Sequence, residues 1–151
     1  LKTHILGAAL GIAVLSGLLT ASPAQAKDGV SSAHVRPFTS AEGRRYGGGS
    51  VRTTVDFVNR KKVIFRNFTV RDTCPGDNLP IKARVYWVHT DRTEGHSAWR
   101  WDRNGCGDDG TNFGSITRTS TKSISAVVVQ VCSTYCQASA NRYNQYVHPG
   151  R

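Results

Sequence analysis

The sequence has no methionine, only two glutamates (Glu42 and Glu94), and half as many acids as bases: 10 Asp+Glu against 20 Lys+Arg in 151 residues. Each shortage excludes something. So few glutamates, with no catalytic motif beside them, speak against an enzyme. No P-loop, G-x-S-x-G or H-E-x-x-H pattern occurs, which removes the commonest nucleotide, serine-hydrolase and zinc-protease chemistries. No 3.6-residue period runs anywhere beyond residue 26, so helical bundles and coiled coils are excluded. No apolar run reaches the roughly 20 residues that a membrane-spanning helix needs. A chain opening on Leu1 is what literal translation of a non-AUG start codon gives, pointing to a GC-rich bacterial source, with a truncated record as the alternative.

What is present begins with an export signal over residues 1–26. Lys2 and His4 precede an apolar run over 5–19, and Ala24-Gln25-Ala26 is a small-x-small cleavage site. The mature protein is therefore expected to start at Lys27 and to be secreted and extracellular, with no transmembrane segment. Residues 27–49 are rich in Ser, Gly and Ala and read as a flexible tail. Residues 50–151 are expected to form one domain.

That domain centres on residues 81–104. Ile81, Ala83, Val85, Trp87 and His89 alternate with Lys82, Arg84, Tyr86, Val88 and Thr90, the period of a half-buried strand. Asp91-Arg92-Thr93-Glu94-Gly95 is turn chemistry, and a second strand over 97–102 carries Trp99 and Trp101, so all three tryptophans lie on one hairpin. Strands are also expected over 51–57, 63–71, 111–118 and 122–133, with a last edge strand through Tyr143 and Tyr146. In 63–71 both faces are partly apolar, as in a strand that is buried on both sides or bulged. Six to eight short strands separated by turns imply an all-β fold, a small antiparallel β-sandwich.

Cys74, Cys106, Cys132 and Cys136 make an even count in an exported chain, hence two disulfides rather than a metal site. Strand parity gathers all four at one pole. Three connectivities are open; Cys74–Cys106 with Cys132–Cys136 is favoured, because Ser133-Thr134-Tyr135 can turn the chain. The charges divide likewise. Asp77, Asp102, Asp108 and Asp109 fall at the cysteine pole; Arg60, Lys61, Lys62, Arg92 and Lys122 fall near the opposite turns.

Three clusters are candidate sites. His89, Glu94 and His96 flank one turn and have the residue types of a metal or acid–base site in a small nuclease, against a plain polar hairpin tip. The stretch 102–109 resembles the opening of a calcium loop, with Asp77, Asp108 and Asp109 as ligands, but Cys106 takes the fifth position and Phe113 the place of the bidentate Glu. Neither is expected to act; no metal, cofactor or catalytic residue is assigned. Trp99-Arg100-Trp101 is the third. Alternation puts both tryptophans on one face, and core burial is favoured over outward display as a hot-spot triplet.

Trp99-Arg100-Trp101 followed by Asn104-Gly105-Cys106 resembles the Trp-Arg-Tyr and Asn-Gly-Cys segment of the tendamistat-type α-amylase inhibitors of streptomycetes. The resemblance implies a small secreted β-sandwich that inserts the triplet into an amylase active site. The chain departs from that pattern in Trp101 for Tyr, in a shorter gap to Cys106, in a longer interval from Cys74 to Cys106, and in the Cys132/Cys136 pair. More broadly, residues 50–140 resemble small secreted actinobacterial β-sandwich proteins of unassigned function, through the Tyr86-Trp87 strand, the Gly105-Cys106-Gly107 loop and the Val-rich strand ending at Cys132. That implies fold and compartment, and no catalytic residue.

The net charge is +10. The bases are dispersed and no nucleic-acid motif occurs, so no specific nucleic acid is expected. The leading expectation is a non-catalytic, disulfide-stapled protein that binds, with anionic cell-wall polymer as the partner. An inhibitor of an extracellular hydrolase through Trp99, Arg100 and Trp101 comes second, and a small secreted nuclease third.

Overall fold

The alternation over 81–89 becomes a strand whose inward residues Ile81, Ala83, Val85 and Trp87 are all buried, Trp87 at 6% exposure. The computed structural model describes residues 28–73, 79–107, 109–138 and 142–150. Thirteen strands and no helix occur among them: β1 (Gly29–Val35), β2 (Phe38–Thr39), β3 (Arg45–Tyr46), β4 (Gly48–Asn59), β5 (Lys62–Thr73), β6 (Lys82–His89), β7 (Glu94–His96), β8 (Arg100–Trp101), β9 (Thr111–Asn112), β10 (Ile116–Thr119), β11 (Ile124–Cys132), β12 (Cys136–Ala138) and β13 (Arg142–Tyr143).

All pairings are antiparallel. One sheet runs β1-β4-β5-β10, with β9 also on β5. The other runs β12-β11-β6-β7, with β13 on β11 and β8 on β6. Val51, Val55, Phe57, Val63, Phe65, Phe68 and Val70 of the first sheet and Ile81, Val85, Trp87, Val127, Val129 and Val131 of the second belong to one buried cluster. The β2–β3 ribbon stands apart.

The expected tail is the main correction. Residues 29–35 form β1 and pair with Val55 back to Gly49 on β4, so residues 28–49 are not an unstructured lead-in. The inward positions of β1 are Ser31, Ala33 and Val35, while Val30 faces solvent at 42% exposure. Small residues fit where the strand presses on β11 and β12. The same small, polar composition is what makes the stretch look unpatterned.

Of the two readings of 63–71, the bulged one holds. Val63 and Phe65 point inward, Asn67 takes a left-handed φ of 52°, and Phe68 and Val70 point inward again. Asn tolerates that conformation better than most side chains. A second bulge falls between Ile124 and Ala126 of β11. It leaves Ser125 free to meet His148, Oγ to Nε2 at 2.8 Å, and keeps both Ile124 and Val127 in the core. The last strand, β13, includes Tyr143 but not Tyr146, which is 44% exposed.

One expected disulfide, Cys132–Cys136, closes a turn with a sequence separation of 4. Cys106 is disulfide-bonded too; Cys74, its expected partner, lies outside the described residues. The loop bearing Cys106 hydrogen-bonds Asp72 at the end of β5 through the Gly107 amide at 3.1 Å. Cys132 pairs with Lys82 at the start of β6, so both cystine segments lie at one pole. Loop-closure entropy for so short a loop gives about 2 kcal/mol. The double variant Cys132→Ala/Cys136→Ala should therefore lose about that much in urea unfolding and stay folded. Loss of the fold would assign the turn a larger role.

Candidate functional site

The outward residues of β6 are Lys82, Arg84, Tyr86 and Val88, all half-buried. Their neighbours across the hairpin are set by one irregularity. β7 pairs Val88 with Glu94, Trp87 with Gly95 and Tyr86 with His96. β8 then pairs Ala83 with Arg100 and Lys82 with Trp101. From the first set to the second, the β7–β8 side advances one residue more than β6 does, so a bulge lies at residues 97–99. Ser97 holds it: its amide donates to the Val85 carbonyl at 2.9 Å, and its Oγ accepts from the Val85 amide at 3.2 Å.

One extra residue reverses the facing of everything after it. Without the bulge Trp99 and Trp101 would stand on the core side, beside Ala83 and Ile81. With it they stand outside, and the expectation that they are core is overturned. Trp101 is 38% exposed and Trp99 half-buried. Arg100 takes the opposite side, as alternation requires, with its guanidinium 5.7 Å from the Phe113 ring centre.

The two tryptophans do not form a bare apolar patch. Lys82 Nζ lies 4.8 Å from the Trp99 ring centre and 4.9 Å from that of Trp101. The Arg84 guanidinium lies 4.2 Å from Trp99 and 4.5 Å from Tyr86. The order along the face is thus Trp101, Lys82, Trp99, Arg84, Tyr86, each cation shared by two rings. Such contacts are worth roughly 0.5–1 kcal/mol each at exposed positions. Gln130 of β11 fixes the far end, its Oε1 accepting from Arg84 Nε at 3.1 Å and from the Tyr86 hydroxyl at 2.8 Å. Arg84 Nη2 also donates to the Tyr86 hydroxyl, and His96 meets Tyr86 edge-on at 5.8 Å. Neither Lys82 nor Arg84 pairs with a carboxylate among the described residues. The sequence reading singled out the triplet and missed Lys82, Arg84, Tyr86 and Gln130, although alternation had already turned the first three outward.

The His89–Glu94–His96 trio is not brought together. His89 is buried on the core side, where Nδ1 meets the Thr93 hydroxyl at 3.0 Å and Nε2 the Ser120 hydroxyl at 2.9 Å. Glu94 and His96 are exposed on the other face. Among the described residues no three His, Cys, Asp or Glu side chains form a metal-holding group. Of the calcium-like loop, Asp77 and Asp108 lie outside the described residues. Asp102 is buried and committed internally, accepting from the Asp72 amide at 2.7 Å and the Thr111 hydroxyl at 2.6 Å.

The basic pole forms as expected. Ser120 and Ile124 amides donate to Lys61 and Arg60 carbonyls, and the Thr90 amide donates to Ser123, which joins the three turns. The Lys122 ammonium, 2.7 Å from Asp91, holds that carboxyl well below its usual range, helped by the Thr93 hydroxyl. A carboxyl with a lowered folded-state pKa stabilises above its unfolded value of about 3.9 and loses that contribution as pH falls through the folded one. The advantage of the wild type over Lys122→Met should therefore be present at roughly pH 6, shrink on acidification below about pH 4, and be small throughout, because the pair is half-exposed. Equal pH dependence in the two proteins would contradict the pairing.

At the cysteine pole, Phe38 and Tyr46 of the ribbon stack at 4.5 Å and Phe38 meets Tyr135 at 5.2 Å. An open recess of about 420 Å³ lies beside them, lined by Pro37, Phe38, Thr39, Arg45 and Tyr46. The Tyr135 hydroxyl donates to the Arg36 carbonyl at 2.9 Å, and Tyr135 packs against the core. The ribbon thereby caps the end of the sheets. No helix of the described residues is long and apolar enough to cross a membrane. No protein-family model matches the chain, and no curated protein or solved structure does either.

Proposed function

We propose that the chain is a secreted, non-catalytic protein whose two sheets stack as a β-sandwich, stapled by Cys74–Cys106 as well as Cys132–Cys136, and which acts by binding at the cell envelope. The observation that carries this reading is the bulge at residues 97–99, which displays Trp99 and Trp101 outward with Lys82 and Arg84 held against them. Aromatic and arginine side chains fixed on a strand have the residue types that dominate binding energy at interfaces. Sedimentation of the protein with purified Gram-positive cell walls tests it. Trp99→Ala/Trp101→Ala should weaken binding about thirtyfold, the equivalent of a 2 kcal/mol hot spot. Binding that survives this double change unaltered would remove the face from the account.

A second reading is inhibition of an extracellular hydrolase of α-amylase type. It draws on the adjacent exposure of Arg100 and Trp101 at the hairpin edge. Inhibition of a secreted amylase that Arg100→Ala abolishes would move this reading ahead of the first.

A further inference from the structure

The geometry points to a polyphosphodiester of the cell envelope, a polyol-phosphate wall polymer, as the ligand of the outer face, lying along β6 with its phosphates on Lys82 and Arg84. This rests on the binding role proposed above and specifies its chemistry. Three observations carry it.

The first is charge. Two cations stand in one row with no carboxylate partner among the described residues. Glu94, the acid on this face, pairs opposite Val88, beyond the Tyr86–His96 step. The second is spacing. Lys82 and Arg84 are two residues apart on a regular strand, about 7 Å. That repeat along the strand suits successive charges of a linear polyanion.

The third is pre-organisation. The cations are not loose surface chains. Lys82 is held between two rings, and Arg84 between two rings and against Gln130. Ordering a free side chain on binding costs entropy, and here that ordering precedes the ligand. The rings therefore position the cations. Because Trp99, Trp101 and Tyr86 each already carry a cation, they offer poor platforms for stacked bases, the feature that single-stranded nucleic-acid sites share. The same phosphodiester charge is thus read without base stacking.

The test is a titration of the full chain with polyglycerol phosphate, an uncharged glucan and single-stranded DNA at several salt concentrations. Lys82→Gln/Arg84→Gln should weaken polyglycerol-phosphate binding roughly 25-fold, about fivefold per cation. It should also lower the slope of log affinity against log salt by about one per cation. Arg52→Gln removes an exposed charge from β4 on the other sheet and should change affinity less than about twofold, since screening confines exposed charges to about 10 Å. A loss per charge removed that is as large in Arg52→Gln as in Lys82→Gln/Arg84→Gln would reduce the interaction to net charge and overturn the inference. Glucan binding that ignores both cation changes and fails in Trp99→Ala/Trp101→Ala would overturn it too, while leaving the face a binding surface. Single-stranded DNA bound as tightly as the wall polymer would overturn the choice of polymer. Absence of binding to all three would end this inference, and the wall-sedimentation experiment would then decide the binding role separately.

Discussion

Replacing Trp87 with alanine should cost about 3–5 kcal/mol, the range for emptying an aromatic core site. The indole is 6% exposed and closes the core where the edge strands of the two sheets approach. Gly95 lies directly across from it on β7, and the Arg118 guanidinium from β10 covers the ring at 4.4 Å. A side chain at position 95 would strike the indole: a Cβ there would lie 2.6 Å from Cε2 and 2.8 Å from Cζ2. Gly95→Ala should therefore destabilise by about 1–3 kcal/mol, the usual cost of overpacking. In the Trp87→Ala background the same change should cost almost nothing, because the methyl enters the vacated space. The coupling, read by urea unfolding of both single variants and the double one, is the expected signature. Additive losses would mean that Gly95 is required for some reason other than the indole.

Deleting Ser97 and Ala98 together should cost roughly 3 kcal/mol or more, beyond the usual range for overpacked cores. Deleting Ala98 alone would straighten the ladder and leave Trp99 opposite Arg84 and Trp101 opposite Lys82, still outside. With both residues gone, regular pairing past His96 sets them opposite Val85 and Ala83, on the core side. That side is full: Ile81, Ala83 and Val85 are each 0% exposed. The chain can keep its tryptophans outside only by giving up the β6–β8 pairing, including the Asp102 amide's 2.9 Å bond to the Ile81 carbonyl. Ala98 itself is exposed, so Ala98→Ser should be nearly silent, within about 0.5 kcal/mol. A double deletion as mild as that substitution would show that the register past His96 does not set the facing of the tryptophans.

The strands were legible wherever a strict period of two ran against a full core. β6 is the clearest case: its alternation placed Trp87 inward and Lys82, Arg84 and Tyr86 outward, and each lies where that period puts it. The bulges were less legible, for a physical reason. A one-residue insertion shifts phase without changing composition, and Ser97-Ala98 carries no glycine or proline to mark it. The bulge in β5 could be suspected because Phe65 and Phe68 both need burial; nothing comparable forced the tryptophans in or out. β1 was missed because Ser31 and Ala33 occupy its core side and Val30 its exposed side, inverting the usual pattern. The row of rings and cations required a register that the sequence does not state.

The central claim is the outward display of Trp99 and Trp101, and fluorescence quenching measures it most directly. Trp87→Phe removes the third indole, keeps an aromatic ring in the core and breaks no hydrogen bond, since the buried Trp87 Nε1–H makes none within the described residues. In that variant, acrylamide should quench the remaining emission strongly. Iodide should do so at least as well, because Lys82 and Arg84 concentrate an anion at the rings. Lys82→Gln/Arg84→Gln should then reduce iodide quenching and leave acrylamide quenching unchanged. Weak quenching by both agents in the Trp87→Phe protein would place the pair in the core and contradict the account.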